Sequence, residues 1–378
     1  MVKLVKLQIY EKKIMNYHII LSVPFDLETI HQEAEAGNRP RHAMWGLGKK
    51  LGATIHKPDP TAVTLKDKVY SQLCSQPEQW ALIRKLAKEL TANDTVFCAG
   101  EDVGMPLALL FRGKKNRPKI IIKIMAPERP RVRALLSVFK LDQAIDLFMV
   151  NTQIKANTLQ SMLNLSDDRI YLLPEQTDDR FFTPGEPEPR TRSLIASAGR
   201  EQRDYKTLAT ATQDLGVDIE VCAISPNASK GTKVAFPDPV PSNMTFYPYD
   251  WPDFRQMYRN ADLVVVSLLD NHYSAGLTVL MEAMACRRPV MITRTPGLAE
   301  ILIDKGLVIG VDPGDADGMR QMIAHYLENP DQAQALADKG YQYFQAEHRV
   351  DLFIGRLADQ IYRVSNGERE ADPKVIAA

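Results

Sequence analysis

Short apolar runs alternate with amphipathic stretches along most of this chain, and that alternation admits few folds. His18-Ile-Ile-Leu-Ser-Val23, Thr95-Val-Phe-Cys98, Lys119-Ile-Ile-Ile-Lys-Ile124 and Leu147-Phe-Met-Val150 read as strands, with helical patterns such as Trp80–Leu90 between them. The rhythm breaks at Thr183-Pro-Gly-Glu-Pro-Glu-Pro-Arg190, where prolines and a glycine suit a linker better than a strand or helix. It restarts with Leu194–Ser197, Val217–Cys222, Asp262–Ser267, Pro289–Thr293 and Leu307–Val311. Two α/β, doubly wound Rossmann-like domains are therefore expected, 15–185 and 186–348, and a chain of 378 residues is long enough to fill two cores. Residues 1–14 read as an extension ahead of a start near Met15, and 367–378 as a frayed tail.

With 45% hydrophobic and 25% charged residues the composition is that of a globular protein, neither fibrous nor disordered. Cys74, Cys98, Cys222 and Cys286 are far apart and lack a Cys-x-x-Cys pair, so a reducing, cytoplasmic setting fits better than a disulfide scaffold or a zinc cluster. A secretory leader and a membrane span are both disfavoured, since the opening residues lack a long apolar core and no later segment has 18 uninterrupted apolar residues. The formal charge of zero hides an asymmetry: 27 Lys and Arg against 20 Asp and Glu in residues 1–185, leaving 20 against 27 in the remainder. The stretch Arg112–Lys140 holds ten Lys and Arg and one acid, with Arg129, Arg131 and Arg133 ahead of Ala134-Leu-Leu-Ser-Val-Phe139. It could touch an anionic membrane from its inner face, steer an anionic substrate, or match the acidic second half. Nucleic acid is not expected, because charge is balanced overall and no recognised module occurs.

Two strand-to-helix passages carry the chemistry. Arg200-Glu-Gln-Arg203 follows Ser193-Leu-Ile-Ala-Ser-Ala-Gly199, and Asn271-His-Tyr-Ser-Ala-Gly-Leu-Thr-Val-Leu-Met-Glu282 follows Leu263-Val-Val-Val-Ser-Leu268. Backbone N–H groups at a helix start, a favourable dipole end and nearby guanidinium groups converge on an anion. Gly276, Leu277 and Thr278 would supply such N–H groups, with glycine allowing close approach. Glu282, further into the helix, could take both hydroxyls of a ribose. A nucleotide-sugar pocket accounts for both passages.

The run Ser274-Ala-Gly-Leu-Thr-Val-Leu-Met-Glu282-Ala-Met-Ala-Cys-Arg-Arg-Pro-Val290 resembles the Glu-x7-Glu signature of retaining glycosyltransferases of the family-4 type, which have the GT-B fold. Tyr258-Arg-Asn-Ala-Asp262-Leu-Val-Val-Val-Ser267 resembles that family's approach strand, and Asp179-Arg-Phe-Phe-Thr-Pro184 its interdomain signature. The resemblance implies a metal-independent, retaining hexosyltransferase moving a sugar from a nucleotide diphosphate sugar, UDP- or GDP-linked, to a hydroxyl acceptor. The first domain would bind acceptor, the second donor, and a final helix over 349–366 would cross back to the first. Arg200 and Arg203 match the cations placed against the diphosphate, with Lys206 in reserve, and Gly199, His272, Ala275 and Gly276 would line the donor site. Tyr249, in Phe246-Tyr-Pro-Tyr249, would flank the base. Ser274 stands where the family's first acid would be, so two rivals stay open: a GT-B partner or sensor that binds nucleotide sugar without turning it over, and a nucleotide-sugar epimerase.

On the acceptor side Glu101, Asp102 and Glu128 follow strands where an open parallel sheet places ligands, although a solvated acidic loop explains them equally. His42, at an expected helix start, could touch acceptor near the same mouth. Asp315-Ala-Asp317 lies between a strand and a helix and reads as a cap, so no metal is implied.

Overall fold

The computed structural model describes residues 15–223, 233–271 and 275–368. A first sheet holds β1 (Asn16–Ile20), β2 (Thr54–His56), β3 (Asp94–Cys98), β4 (Lys119–Lys123), β5 (Leu147–Val150) and β6 (Ile170–Leu172), all parallel and ordered β2-β1-β3-β4-β5-β6. A second sheet holds β7 (Leu194–Ala198), β9 (Asp218–Cys222), β11 (Met244–Phe246), β12 (Leu263–Val266), β13 (Val290–Thr293) and β14 (Ile309–Val311), ordered β11-β9-β7-β12-β13-β14. The short strands β8 (Arg203–Asp204) and β10 (Val234–Ala235) pair with each other beside it.

Strands covered on both faces must be apolar at successive positions, and β4 shows how. Ile120 and Ile122 enter one core with Ile83, Leu86 and Phe111, whereas Ile121 enters the opposite core with Leu47, Phe353 and Leu357. The second core therefore includes the final helix, Val350–Asn366, which lies against the helix Ala43–Leu51. Gly46 permits that approach: a Cβ there would stand 2.6 Å from Cδ1 of Ile354.

The chain passes between the two sheets twice, and the passages are pinned to each other. Thr177 N–H donates to the carbonyl of His348 (3.1 Å), and Val350 N–H donates to that of Thr177 (3.1 Å). Arg41 reaches into the same junction, donating from Nε to Asp178 (2.8 Å) and from Nη1 to Asp351 (2.9 Å). Residues 183–190 have no regular structure but are held as a strap: Arg259 donates to the Thr183 carbonyl (3.0 Å) and Arg288 to that of Gly185 (2.9 Å).

Two differences from the sequence reading have local causes. The strand expected over His18–Val23 ends at Ile20, and Val23 is exposed in a bend ahead of Pro24, which has no N–H with which to continue a ladder. The strands β2, β6 and β11 are three residues each, too short to show a periodicity.

Acid should weaken this fold. His18 Nδ1 and His56 Nε2 lie 3.0 Å apart, and burial, reinforced by His18 and Lys85 against Glu89, pulls the His56 pKa down to about 4. Burial and Arg39 pull His42 down to about 4 as well. Unfolding frees both rings to bind protons near their ordinary value of 6.5, so stability is retained above that value and falls as pH drops from 6.5 towards 4. Urea denaturation at neutral pH and near pH 5 checks this, and His56→Gln is expected to shrink the difference.

Candidate functional site

The strand order places the site. From β7 the second sheet grows outward through β9 and β11 on one side and from β12 through β13 and β14 on the other, so the switch point lies between the carboxyl ends of β7 and β12. The two passages singled out in the sequence leave the sheet there. Their loops are laced together: Asp204 N–H donates to the Ser267 carbonyl (3.0 Å), Leu269 N–H to that of Gln202 (2.8 Å), and Ser267 Oγ to that of Asp204 (2.8 Å).

Arg203 lies beneath this lacing, 3% exposed. Its Nε donates to the Ala198 carbonyl (2.7 Å) and its Nη1 to that of Glu201 (2.8 Å), which fixes the loop carrying Arg200. Burial lowers its pKa, opposed by Tyr205, Tyr258, Glu201 and Glu282. Gly199 and Gly276, at φ +91° and +81°, bracket the guanidinium: a Cβ on Gly199 would stand 2.4 Å from Nη2, and one on Gly276 3.7 Å from Nη1. Tyr205 completes the support by donating its hydroxyl to the Gly199 carbonyl.

Gly276 opens the helix Leu277–Ala285 with no side-chain cap, so the first-turn N–H groups, including those of Leu277 and Thr278, lack a helical acceptor. Ala275 and Leu277 are buried at that entry and Thr278 is exposed. Glu282 is 6% exposed and accepts from the Tyr258 hydroxyl (2.9 Å). Burial pushes its pKa up to about 8, restrained by the Tyr258 hydrogen bond and the Arg203 charge. Tyr258 itself is driven well above its ordinary value by burial and by Glu282.

Arg200 and Lys206 are exposed at the same end, and neither side chain makes a hydrogen bond or ion pair among the described residues. Arg200 is thus free to meet a ligand, whereas Arg203 already spends Nε and Nη1 on its own loop. Tyr249 donates its hydroxyl to Glu220 (2.8 Å) and meets Tyr247 edge-on at 4.9 Å, while Phe246 packs on Tyr205 and Trp251 on Phe181. His272 and Ser274 lie outside the described residues. Tyr258 and Tyr205 are the supports that sequence reasoning missed, since nothing local ties a tyrosine to an acid in a later helix.

In the first sheet the switch point falls between β1 and β3, and Glu101 and Asp102 stand there. Asp102 already accepts from Ser22 Oγ (2.5 Å) and Gln79 Nε2 (2.7 Å), and Glu101 from Met125 N–H (2.8 Å), with burial raising the Glu101 pKa. Glu128 is exposed in the turn after β4. His42 caps the helix Ala43–Leu51, accepting from Met44 N–H (3.3 Å), and lines a cavity of about 180 Å³ with Trp45, Arg180 and Asp351. Beyond these, the end of β5 brings in a lysine the sequence did not mark. Lys155, 6% exposed, donates to Asn151 (2.8 Å), which donates to Glu175 (2.8 Å).

Within Arg112–Lys140, the side chains of Val132, Leu135 and Leu136 point into the core, while Arg129, Arg131 and Arg133 are exposed. The interleaved apolar residues are therefore mostly packing. Asp315 accepts from Gly318 N–H (2.8 Å), capping the helix Ala316–Glu328. Among the described residues no group of three or more His, Cys, Asp or Glu is placed to hold a metal, and no helix is long and apolar enough to cross a membrane.

Residues 239–343 match the family described as Glycosyl transferases group 1. The chain is 30% identical over 257 residues to a D-inositol 3-phosphate glycosyltransferase of Mycolicibacterium smegmatis, covering 61% of this chain and 56% of that one. A protein of the same description from Segniliparus rotundus is 26% identical over 217 residues. The chain spans about half the length of the curated relatives it matches. Among solved structures it is similar to a sucrose-phosphate synthase from Thermosynechococcus elongatus, with TM-score 0.66 and 16% identity over 92% of this chain and 98% of that one. Anabaena HepE, solved with UDP-glucose, gives TM-score 0.61 and 14% identity over 92% of this chain and 99% of that one. With two parallel, Rossmann-like sheets, these likenesses identify the fold as α/β GT-B.

Proposed function

We propose that the protein is a retaining glycosyltransferase that moves a hexose from a nucleotide diphosphate sugar to a hydroxyl acceptor, without a metal ion. The observation that carries this reading is the convergence of Arg200, the uncapped helix start at Gly276 and the carboxyl of Glu282 around the β7/β12 switch point. As the glycosidic bond breaks, negative charge grows on the departing diphosphate. Donors already fixed in place stabilise it without reorganising. Arg200 and the helix-start N–H groups are those donors, Arg203 holds their loop in shape, and Glu282 accepts from the ribose hydroxyls. UDP-sugars are the first donors to try, because HepE was solved with UDP-glucose. Inositol phosphate is the first acceptor, from the name of the relatives.

Thermal shift against UDP- and GDP-sugars tests donor binding, since a ligand held only by the native state raises its stability. Arg200→Ala is expected to weaken donor binding by roughly tenfold to a hundredfold, the worth of one or two hydrogen bonds to a charged group. Being exposed and without an internal partner, it should change stability by less than about 0.5 kcal/mol. A full donor shift in that variant would refute the pocket. Turnover with inverted anomeric configuration would refute retention.

A further inference from the structure

We propose that the first domain docks onto an anionic lipid surface through the short helix Leu65–Tyr70 and the turn after it. Leu65, Val69, Tyr70 and Leu73 are 79, 68, 42 and 42% exposed, a concentration of large apolar side chains on one small element. Leu65 and Val69 are four residues apart and so lie on the same helix face, and Leu73 is exposed in the turn that follows. The segment Arg112–Lys140 exposes Val138 and Met125 as well, but singly, on different elements.

The stripe is held outward from behind. Asp67, fully buried on the other side of the helix, accepts from Nε and Nη2 of Arg84, each at 2.9 Å. Tyr70 lies 5.1 Å from the Trp80 ring, and Trp80 Nε1 donates to the Cys74 carbonyl (2.8 Å), fixing the turn.

Charge selects the occupant. Between residues 60 and 75 the charged side chains are Lys66, Asp67 and Lys68. Arg84 neutralises the acid, and both lysines are exposed with no ion pair among the described residues. Apolar residues flanked by lysines suit an anionic bilayer, where the side chains enter the interface and the ammonium groups stay at the headgroups. A second copy of this chain fits poorly, because a two-fold contact would set the lysines against their own image. The inference stands independently of the donor-site reading.

The test is co-sedimentation of the whole protein with vesicles of phosphatidylcholine alone and of phosphatidylcholine with phosphatidylglycerol. Binding is expected to the anionic vesicles, to be released by salt, and to fall about tenfold or more in Val69→Glu and in Lys66→Glu/Lys68→Glu. Both variants should keep the wild-type melting temperature and nucleotide shift, which separates this outcome from failure of the donor site. The proposal is overturned by no binding, by equal binding to both vesicle types, or by wild-type binding in Val69→Glu. It is also overturned if binding is lost only in Arg131→Glu/Arg133→Glu, or if Val69→Glu abolishes a lipid-free dimer.

Discussion

Arg203→Ala is expected to cost about 3 kcal/mol of stability and to weaken nucleotide diphosphate binding by about a hundredfold or more. Both effects follow from one geometry. The guanidinium is buried and bonds the carbonyls of Ala198 and Glu201, so truncation takes a donor from one buried and one part-buried acceptor and leaves an empty space below the loop. That loop carries Arg200 and faces the start of the helix Leu277–Ala285, so its collapse disorders the anion site as well. Arg203→Lys should recover part of the stability, because an ammonium keeps the charge but lacks the planar fork that reaches two carbonyls. Arg200→Ala is the contrasting variant, losing affinity with stability intact. Chemical denaturation and calorimetric nucleotide titration of the three variants distinguish the roles. A stable Arg203→Ala that still binds nucleotide would show that the loop holds its shape without this residue.

The second large effect is a pH dependence set by Glu282, whose contribution to stability and whose support of nucleotide affinity move oppositely. Folding raises the Glu282 pKa from the ordinary 4.5 to about 8, because burial disfavours its charge more than Tyr258 and Arg203 favour it. Between those values the native state binds the proton and the unfolded chain does not. The contribution of Glu282 to stability is therefore full below 4.5 and is lost as pH rises through 8, by at most about 1.4 kcal/mol per pH unit, against the opposite trend of His42 and His56 below 6.5. Acceptance from two ribose hydroxyls needs the carboxylate, so nucleotide affinity should rise over the same interval, by up to about tenfold per pH unit, and level off above it. Binding near neutrality should then release a proton, visible as a titration enthalpy that depends on the buffer. Glu282→Gln mimics the protonated acid, and in that variant both trends should flatten while affinity drops. A wild-type affinity independent of pH from 6 to 9, roughly the range over which a group near 8 titrates, would mean that Glu282 does not bind the ribose as a carboxylate.

Particular residues show how far the sequence could be read. The run Lys119-Ile-Ile-Ile-Lys-Ile124 announced a strand covered on both faces, and β4 divides its isoleucines between two cores. The helical pattern read over Trp80–Leu90 is the helix Pro77–Glu89, which starts three residues earlier at a proline whose missing N–H costs nothing there. By contrast, Arg200 and Arg203 looked like a matched pair of cations. They have different surroundings: one is exposed, the other locked under two glycines. Spacing of three residues cannot report which side chain turns inward. Asp102 likewise stood at a strand end where ligands bind, and its oxygens are already bonded to Ser22 and Gln79 from other segments.

What the sequence determined was the local grammar: apolar runs that must be strands, the βα alternation that makes their sheets parallel, and glycines where the backbone takes positive φ at Gly199 and Gly276. These follow from interactions between near neighbours and are written wherever the residues occur. Tertiary structure alone decided the strand order that brings β7 beside β12, the burial of Arg203, and the pairing of Tyr258 with Glu282 across 24 residues. Such contacts depend on which surfaces exclude water together. That exclusion, acting on groups distant in the chain, sets their charge and decides which of them can reach a ligand.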